Sequence, residues 1–307
     1  MFAGKSQNTL CNLNEIALFL LVSGFDTVQT QCYSTFMKTY YRALTIAGSD
    51  SGGGAGVQAD LKTFSALGVF GMSAITALTA QNTHSVTGIF PVPPAFIGEQ
   101  IDAVMSDIGT NAVKIGMLHS PEVIEMVAEK LKQWQCPNVV LDPVMISKSG
   151  DKLLQDDAMA ALTKHLLPLA TVITPNLPEA SVLLGKTIDT PEKMEDAAVA
   201  LAELGAANVL VKGGHLASGP GIDLLYEAAS GQTTRYTADR VDTKNSHGTG
   251  CTLSSAIAAG LARGLDLKPA VAEAKDYITN ALKAGADIQT GSGHGPVHHF
   301  YALWENV

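Results

Sequence analysis

From Tyr41 onward, short apolar runs alternate with longer amphipathic stretches, and that alternation leaves few folds open. Ala43–Ala47, Met72–Thr79, Ala112–Leu118, Asn138–Asp142, Thr171–Thr174 and Asn208–Gly214 are brief and largely apolar. Between them Val57–Leu67, Pro94–Ile108, Pro121–Gln133, Asp156–Leu167, Leu177–Leu184 and Pro191–Leu204 have helical spacing. In the first of these, Leu61, Phe64 and Leu67 share one face. Ser85–Val92 reads as an exposed strand, and Asp223–Ala228 with Thr233–Val241 as a hairpin turning at Ser230-Gly231. Two last helices are predicted from Thr249 and Lys268. Strands that are apolar throughout need cover on both sides, so the chain is expected to form a mostly parallel central sheet with helices on both faces. Ligands bind such sheets beyond the C-terminal strand ends, marked here by Gly48, Gly116, Asp142, Thr174 and Gly213-Gly214.

Composition narrows the partners. A net charge of -9 and a pI near 5.3 argue against a non-specific nucleic-acid surface, which concentrates Lys and Arg. Cys11, Cys32, Cys136 and Cys251 form no CxxC pair and no zinc-spaced cluster with His, which suits a reducing, cytoplasmic compartment. The longest apolar run near the start, Ile16–Val22, is far short of the roughly 20 residues that cross a bilayer. Glu15 beside it and Lys5 as the one early base do not make a secretory signal. Residues 1–38 are therefore expected to be a poorly ordered extension, with Met37 an alternative start, and 39–307 a single domain.

Four stretches carry chemistry. Asn245–Cys251 joins a strand-like segment to a helix through Gly248 and Gly250. The unpaired N–H groups of the helix start would face an anion there, and a thiol in that first turn is expected to have a lowered pKa. A plain glycine turn over a buried Cys fits the same letters. Gly48–Gly56 is glycine-dense but is neither GxxxxGK[ST] nor GxGxxG, and it carries Asp50 and Asp60 nearby, residues suited to a ligand's polar edge or a helix cap. Asp142 and Asn176-Leu177-Pro178-Glu179 follow neighbouring strands, where two carboxylates can hold a magnesium ion beside phosphates; Asn176 as a helix cap with an exposed Glu179 is the simpler alternative. Lys212-Gly213-Gly214-His215 ends the next strand as a phosphate-side lining or a simple turn.

Taken together and in order, Ala47–Asp60, Ala80–Thr83, Lys114–Leu118, Leu141–Met145, Thr174–Glu179, Lys212–His215, Asn245–Cys251 and Gly295–Phe300 resemble the hydroxymethylpyrimidine/phosphomethylpyrimidine kinases of thiamine biosynthesis, in the ribokinase-like superfamily. The resemblance spans about Tyr41 to Trp304. It implies a three-layer α/β sandwich and transfer of phosphate from ATP, with Mg²⁺, first to the hydroxymethyl group of the pyrimidine and then to the monophosphate. It implies substrate binding by Gln81, Asp60, Met117 and Gly48, and an anion hole at Gly248, Thr249, Gly250 and Cys251. Asn176, Lys212, Gly213 and Gly214 would meet ATP, and Asp142 and Glu179 the metal. Cys251 stands where most ribokinase relatives carry a basic Asp, so it becomes the candidate base. A homodimer is implied as well.

Two other activities compete. Pyridoxal kinase is the same chemistry on a similar alcohol. A cysteine hydrolase would use Cys251 as nucleophile and His247 as base. His298 and His299 are adjacent, cannot easily face one metal, and are expected to pack; Cys136 is expected to be structural.

Overall fold

The computed structural model describes residues 38–145, 157–214, 216 and 219–304. By its internal contacts the chain divides into Met1–Thr39 and Tyr40–Val307, and every element below belongs to the second unit. The expectation of a disordered extension therefore lies outside the described residues, as does the one for His215.

Nine strands form one sheet among the described residues: β1 (Arg42–Asp50), β2 (Phe70–Gln81), β3 (Val86–Pro91), β4 (Ala112–Ile115), β5 (Val139–Leu141), β6 (Val172–Ile173), β7 (Asn208–Lys212), β8 (Gly221–Glu227) and β9 (Gln232–Ala238). Their order is β3-β2-β1-β4-β5-β6-β7-β8-β9. Strands from β2 through β7 pair in parallel, while β3 at one edge and β8 and β9 at the other are antiparallel. The hairpin and the exposed strand of the sequence reading are those antiparallel edges.

Period-2 alternation sorts each strand's residues between two cores. Leu44, Ile46, Val113, Ile115, Val139, Leu141, Ile173 and Val209 face one layer. It is made by α2 (Pro94–Asp107), α3 (Pro121–Gln133), α4 (Ala158–Ala161), α5 (Leu177–Leu184) and α6 (Pro191–Glu203). Ala43, Ala112, Val140, Val172 and Leu210 face the other, made by α1 (Gly56–Ala66), α7 (Thr249–Ala262) and α8 (Leu267–Gly285). Every residue of α7 from Thr252 to Ala262 is buried, which is why its sequence is apolar on all sides rather than on one stripe.

The expected helix Asp156–Leu167 takes a different form. Its described part is the short α4, then a π turn at Leu162–Leu166 and a 3-10 turn at Leu167–Leu169. Pro168 explains the ending, because it has no N–H to donate and disfavours α geometry in the residue before it.

Successive strands are laid down on one side of β1 (β2, β3) and then on the other (β4 onward). The connections leaving β1 and β4 therefore part in opposite directions. A crevice opens between them at the C-terminal edge of the sheet.

Candidate active site

That crevice is a cavity of about 710 Å³, bordered by the ends of β1, β2, β4, β5 and β7, by the start of α5 and α7, and by α8. Its organisation begins with a carboxylate. Asp50, almost fully buried, accepts hydrogen bonds from the N–H groups of Gly52 (2.8 Å), Gly54 (3.0 Å) and Ala55 (2.8 Å), and its Oδ2 lies 2.8 Å from Nε2 of His247. Burial opposes ionisation of this group, but the His247 bond and the backbone donors prevail and hold its pKa below the ordinary value. Asp50 thus folds the glycine loop around itself, so the loop's acid serves the loop.

The Gly48–Gly56 and Asn245–Cys251 loops are packed against each other. Gly248 has φ +79°, and a Cβ there would stand 1.8 Å from the carbonyl oxygen of Gly54, so no other residue fits. Asn245 anchors the second loop to the end of α8, donating from Nδ2 to the carbonyls of Gly285 (2.6 Å) and Ile288 (2.7 Å).

At one end of the cavity stand three of the four residues expected to hold substrate. Gln81 closes β2 with its amide 3.2 Å from Thr79 Oγ1 and 3.3 Å from His247 Nε2. Met117 and Gly48 line the same end, and a Cβ on Gly48 would lie 2.7 Å from Met117 Cε. Asp60 is the exception, because it lies beneath the cavity wall rather than on it. It is 0% exposed and receives both its oxygens' bonds from Lys114 Nζ (2.9 Å each), with further donors at Thr45 Oγ1 and Ser255 Oγ (2.6 Å each). Four hydrogen bonds saturate a carboxylate, and Asp60 ties β1, β4, α1 and α7 together.

Asp142, Glu179 and Lys212 meet at the other end. Lys212 Nζ lies 2.7 Å from Asp142 Oδ1, which also accepts from Thr174 Oγ1 at 3.0 Å. Burial works against the Asp142 charge, but Lys212 and Lys114 outweigh it and hold its pKa low; burial works against the Lys212 charge too, and Asp142 and Glu179 outweigh it and raise the lysine's pKa. Glu179 is buried rather than exposed, and burial raises its pKa to about 7, with Lys212 pulling down and Asp142 pushing up. The helix-capping alternative is also present. Asn176 Oδ1 accepts from Glu179 N (2.8 Å) while Glu179 Oε2 accepts from Asn176 N (2.7 Å), a reciprocal capping box that opens α5. Gly214 lines the cavity, whereas Gly213 turns away from it and donates its N–H to Asp223 Oδ1 at 3.0 Å. Among the described residues no group of three His, Cys, Asp or Glu side chains gathers as a closed metal cage. Two hard carboxylates with one held near neutrality form an open, charge-deficient donor set, which fits a divalent ion that keeps waters and phosphate oxygens as its other ligands.

Cys251 lies between the two ends, in the first turn of α7. Among the described residues, the N–H groups of Gly250 and Cys251 have no protein acceptor, so they are available to an anion. The expected low thiol pKa is overturned. Burial pushes the Cys251 thiol up to about 11; Lys114 pulls it down while Asp60 and Asp142 push it up further. The helix position was legible in the sequence, but the two acids brought near it by other elements were not. Among the described contacts none joins His247 to Cys251: the partners of its Nε2 are Asp50 and Gln81, and the charges acting on the thiol are those of Lys114, Asp60 and Asp142.

Comparison with known proteins gives the same assignment from outside. The phosphomethylpyrimidine kinase family matches residues 50–298. The chain belongs to that family. Among its relatives, the hydroxymethylpyrimidine/phosphomethylpyrimidine kinase of Rhizobium meliloti is 52% identical over 86% of this chain and 98% of its own. A thiamine biosynthesis bifunctional protein of Geobacter sulfurreducens is also 52% identical, over 84% of this chain, and here the chain spans only 52% of the relative's length. Among solved structures, the ADP complex of Bacillus subtilis pyridoxal kinase superposes with a TM-score of 0.80 at 39% identity, covering 87% of this chain and all of that one.

As a member of the phosphomethylpyrimidine kinase family the protein is a phosphotransferase with the ribokinase-like three-layer sandwich, and no described helix is long and apolar enough to cross a membrane. Three features of its site escaped the sequence reading. Lys114 was visible as a charge inside the apolar run Ala112–Ile115, a placement that demands a buried partner. The Asp223–Lys275 pair (2.7 Å) on the cavity wall joins β8 to α8 and had no local signal. Nor had the contact of His247 with Asp50, separated by 197 positions. At the C-terminus His299 packs as expected, buried and 3.1 Å from Thr252 Oγ1, and burial takes its pKa down to about 4. Cys136 is half-buried, and its thiol is pushed up to about 11 by burial alone.

Proposed function

We propose that this chain uses ATP to phosphorylate the hydroxymethyl group of 4-amino-5-hydroxymethyl-2-methylpyrimidine, and then phosphorylates the monophosphate to the diphosphate used for thiamine diphosphate synthesis. The observation that carries the reading is one cavity with an amide-and-methionine end, a lysine-and-carboxylate end, and a helix N-terminus between them. Gln81 and Met117 would hold the ring, with Gly48 giving it room. Asn176, Lys212 and Gly214 would line the side that takes ATP.

Phosphoryl transfer asks the protein mainly for alignment and charge. The N–H groups of Gly250 and Cys251 stabilise charge on the transferring phosphoryl, and Lys212 neutralises its oxygens. Asp142 and Glu179 would hold Mg²⁺, which when bound supplies further neutralisation of the phosphates. Cys251 orients the substrate hydroxyl and accepts its proton. Because the thiol is raised to about 11, the reactive thiolate is a minor species at neutral pH and the Lys114 ammonium is what draws it out. The domain would occupy 39–307, work in the cytoplasm, and pair as a homodimer, for which the exposed Leu78 and Phe90, directly opposite each other on β2 and β3, supply an apolar patch. A chain starting at Met37 would keep full activity.

The fold neighbour among pyridoxal kinases supports a second reading, phosphorylation of pyridoxal. Mass spectrometry of products after incubation with MgATP and each alcohol tests both. We expect the mono- and diphosphate of the pyrimidine; a tenfold preference in kcat/KM for pyridoxal, about 1.4 kcal/mol in transition-state binding, would reverse the assignment.

A further inference from the structure

The hydrogen-bond partners of Gln81 fix which way its amide faces, and this rests on the reading of that end of the cavity as the ring-binding site. In the structure Nε2 of Gln81 lies 3.3 Å from Nε2 of His247, and Oε1 lies 3.2 Å from Thr79 Oγ1. The oxygen and nitrogen of an amide have nearly the same shape, so the neighbouring protons decide between the two orientations. On the His247 side, Oδ2 of Asp50 lies 2.8 Å from the same Nε2. Asp50 already accepts from the N–H groups of Gly52, Gly54 and Ala55 and is an acceptor only, so His247 Nε2 must carry the proton. An amide NH₂ beside it sets donor against donor. On the Thr79 side, the hydroxyl has one proton and the carbonyl oxygen of Ser49 lies 2.8 Å away, an acceptor with no alternative role. The proton goes there, and an amide oxygen facing Thr79 Oγ1 sets acceptor against acceptor. Exchanging the two ends of the amide turns both repulsions into attractions.

We infer that Thr79, with His247 and Asp50 behind it, pins the Gln81 amide with its oxygen toward His247 and its nitrogen toward Thr79, and that this fixed sense selects the substrate's hydrogen-bonding edge. Each amide terminus uses its outer lone pair or proton on the protein. The remaining lone pair and the remaining N–H then point the same way and form a paired acceptor and donor. The edge that fits is that of an amino group beside a ring nitrogen, with the amino proton on the His247 side and the ring nitrogen on the Thr79 side. A 4-oxo ring presents the opposite pattern, a carbonyl beside a ring N–H. A freely rotating Gln81 would accept either by turning over, but a pinned one cannot. Thr79 and His247 are therefore positioning residues that act through Gln81.

The test compares 4-amino-5-hydroxymethyl-2-methylpyrimidine with its 4-oxo counterpart as substrates for the full chain with MgATP. The wild type is expected to prefer the amino ring by about 100-fold or more in kcat/KM, since an unmatched buried polar edge is strongly rejected. Thr79→Val keeps the shape of the strand residue but removes the hydroxyl; it should compress that preference to under about tenfold, through KM for the ring rather than KM for ATP. Thr79→Ser should restore the wild-type ratio. Thr79→Ala gives the same comparison if the valine variant is poorly folded. A preference unchanged in Thr79→Val, or a wild type that takes both rings equally well, overturns the inference while leaving pyrimidine kinase activity intact. A wild type that phosphorylates neither ring overturns the reading of the site itself.

Discussion

Two lysine–aspartate pairs, one beneath the cavity and one on its wall, look alike on paper. Lys114 bonds Asp60 at 2.9 Å and Lys212 bonds Asp142 at 2.7 Å. Each aspartate also accepts from one threonine and one serine: Thr45 and Ser255 for Asp60, Thr174 and Ser254 for Asp142. Both side chains of the first pair are 0% exposed, whereas the lysine of the second keeps 11% exposure at the cavity and has a third charge, Glu179, beside it. In the first pair one ammonium meets one carboxylate, and the charges close. The second leaves a carboxylate whose pKa rises to about 7, a balance that an added cation would complete. The closed pair holds the sheet to α1 and α7; the open one faces phosphate chemistry.

Breaking the closed pair should produce the largest effect. Lys114→Met strands the Asp60 charge in the interior and is expected to lower stability by about 3–5 kcal/mol in urea denaturation. A loss under about 1 kcal/mol would mean that the pair is not the rivet described. Lys212→Met, at the open pair, should cost less stability than Lys114→Met, because Asp142 opens on the cavity and keeps the charge of Lys114 and the Thr174 bond, while kcat drops by about 10²–10³, the range for removing one charge-stabilising donor. If stability collapses instead, the two pairs are equivalent and the comparison fails.

Cys251, which feels charges from both pairs, comes next. Cys251→Ala should cut kcat by about 100-fold, the lower end for general base catalysis. With the thiol at about 11, wild-type kcat should climb as pH rises from about 7 to 10 and the climb should vanish in the alanine variant. A pH-flat wild type would reduce Cys251 to orienting the hydroxyl, and the N–H groups of Gly250 and Cys251 would then carry the chemistry alone.

The smallest effect is a titration. The folded pKa of Glu179, about 7, lies above its ordinary value of 4.5, so the proton is held more tightly in the folded state. Its stabilising contribution is full below about pH 4.5 and is lost as pH rises to about 7, at most about 3 kcal/mol. Glu179→Gln should remove that part of the pH dependence in urea titrations at pH 5 and 8. Magnesium ion should raise the Tm of the wild type at pH 8 more than that of the variant; equal shifts would put the ion elsewhere.

Much of this was legible in the letters. The parallel sheet followed from apolar runs too short for helices and apolar on both faces, and α7 from the run after Gly250. Its end at a C-terminal strand edge placed Gly48, Asp142 and Lys212 in one region. What failed were particular judgements that depended on which side chain reaches whom. Asp60 was expected in the substrate pocket and lies under it, because Lys114 from another strand captures both its oxygens. Glu179 as an exposed residue was the simpler alternative, and the capping box with Asn176 turned it inward. The segment expected as one helix over Asp156–Leu167 has, in its described part, a short α turn that passes into a π turn and then a 3-10 turn at Pro168, a change of winding with no period of its own in the letters.

The sequence alone determined the layers, the strand ends at which chemistry gathers, and the family, because hydrophobic period and glycine placement are local and are written in consecutive residues. The tertiary structure decided the charges. Whether a carboxylate braces the fold, holds a loop or waits for a cation depends on partners 54, 197 and 70 positions away. Coulomb energies in a buried site are set by those partners and by exclusion of water, neither of which a neighbouring residue reports.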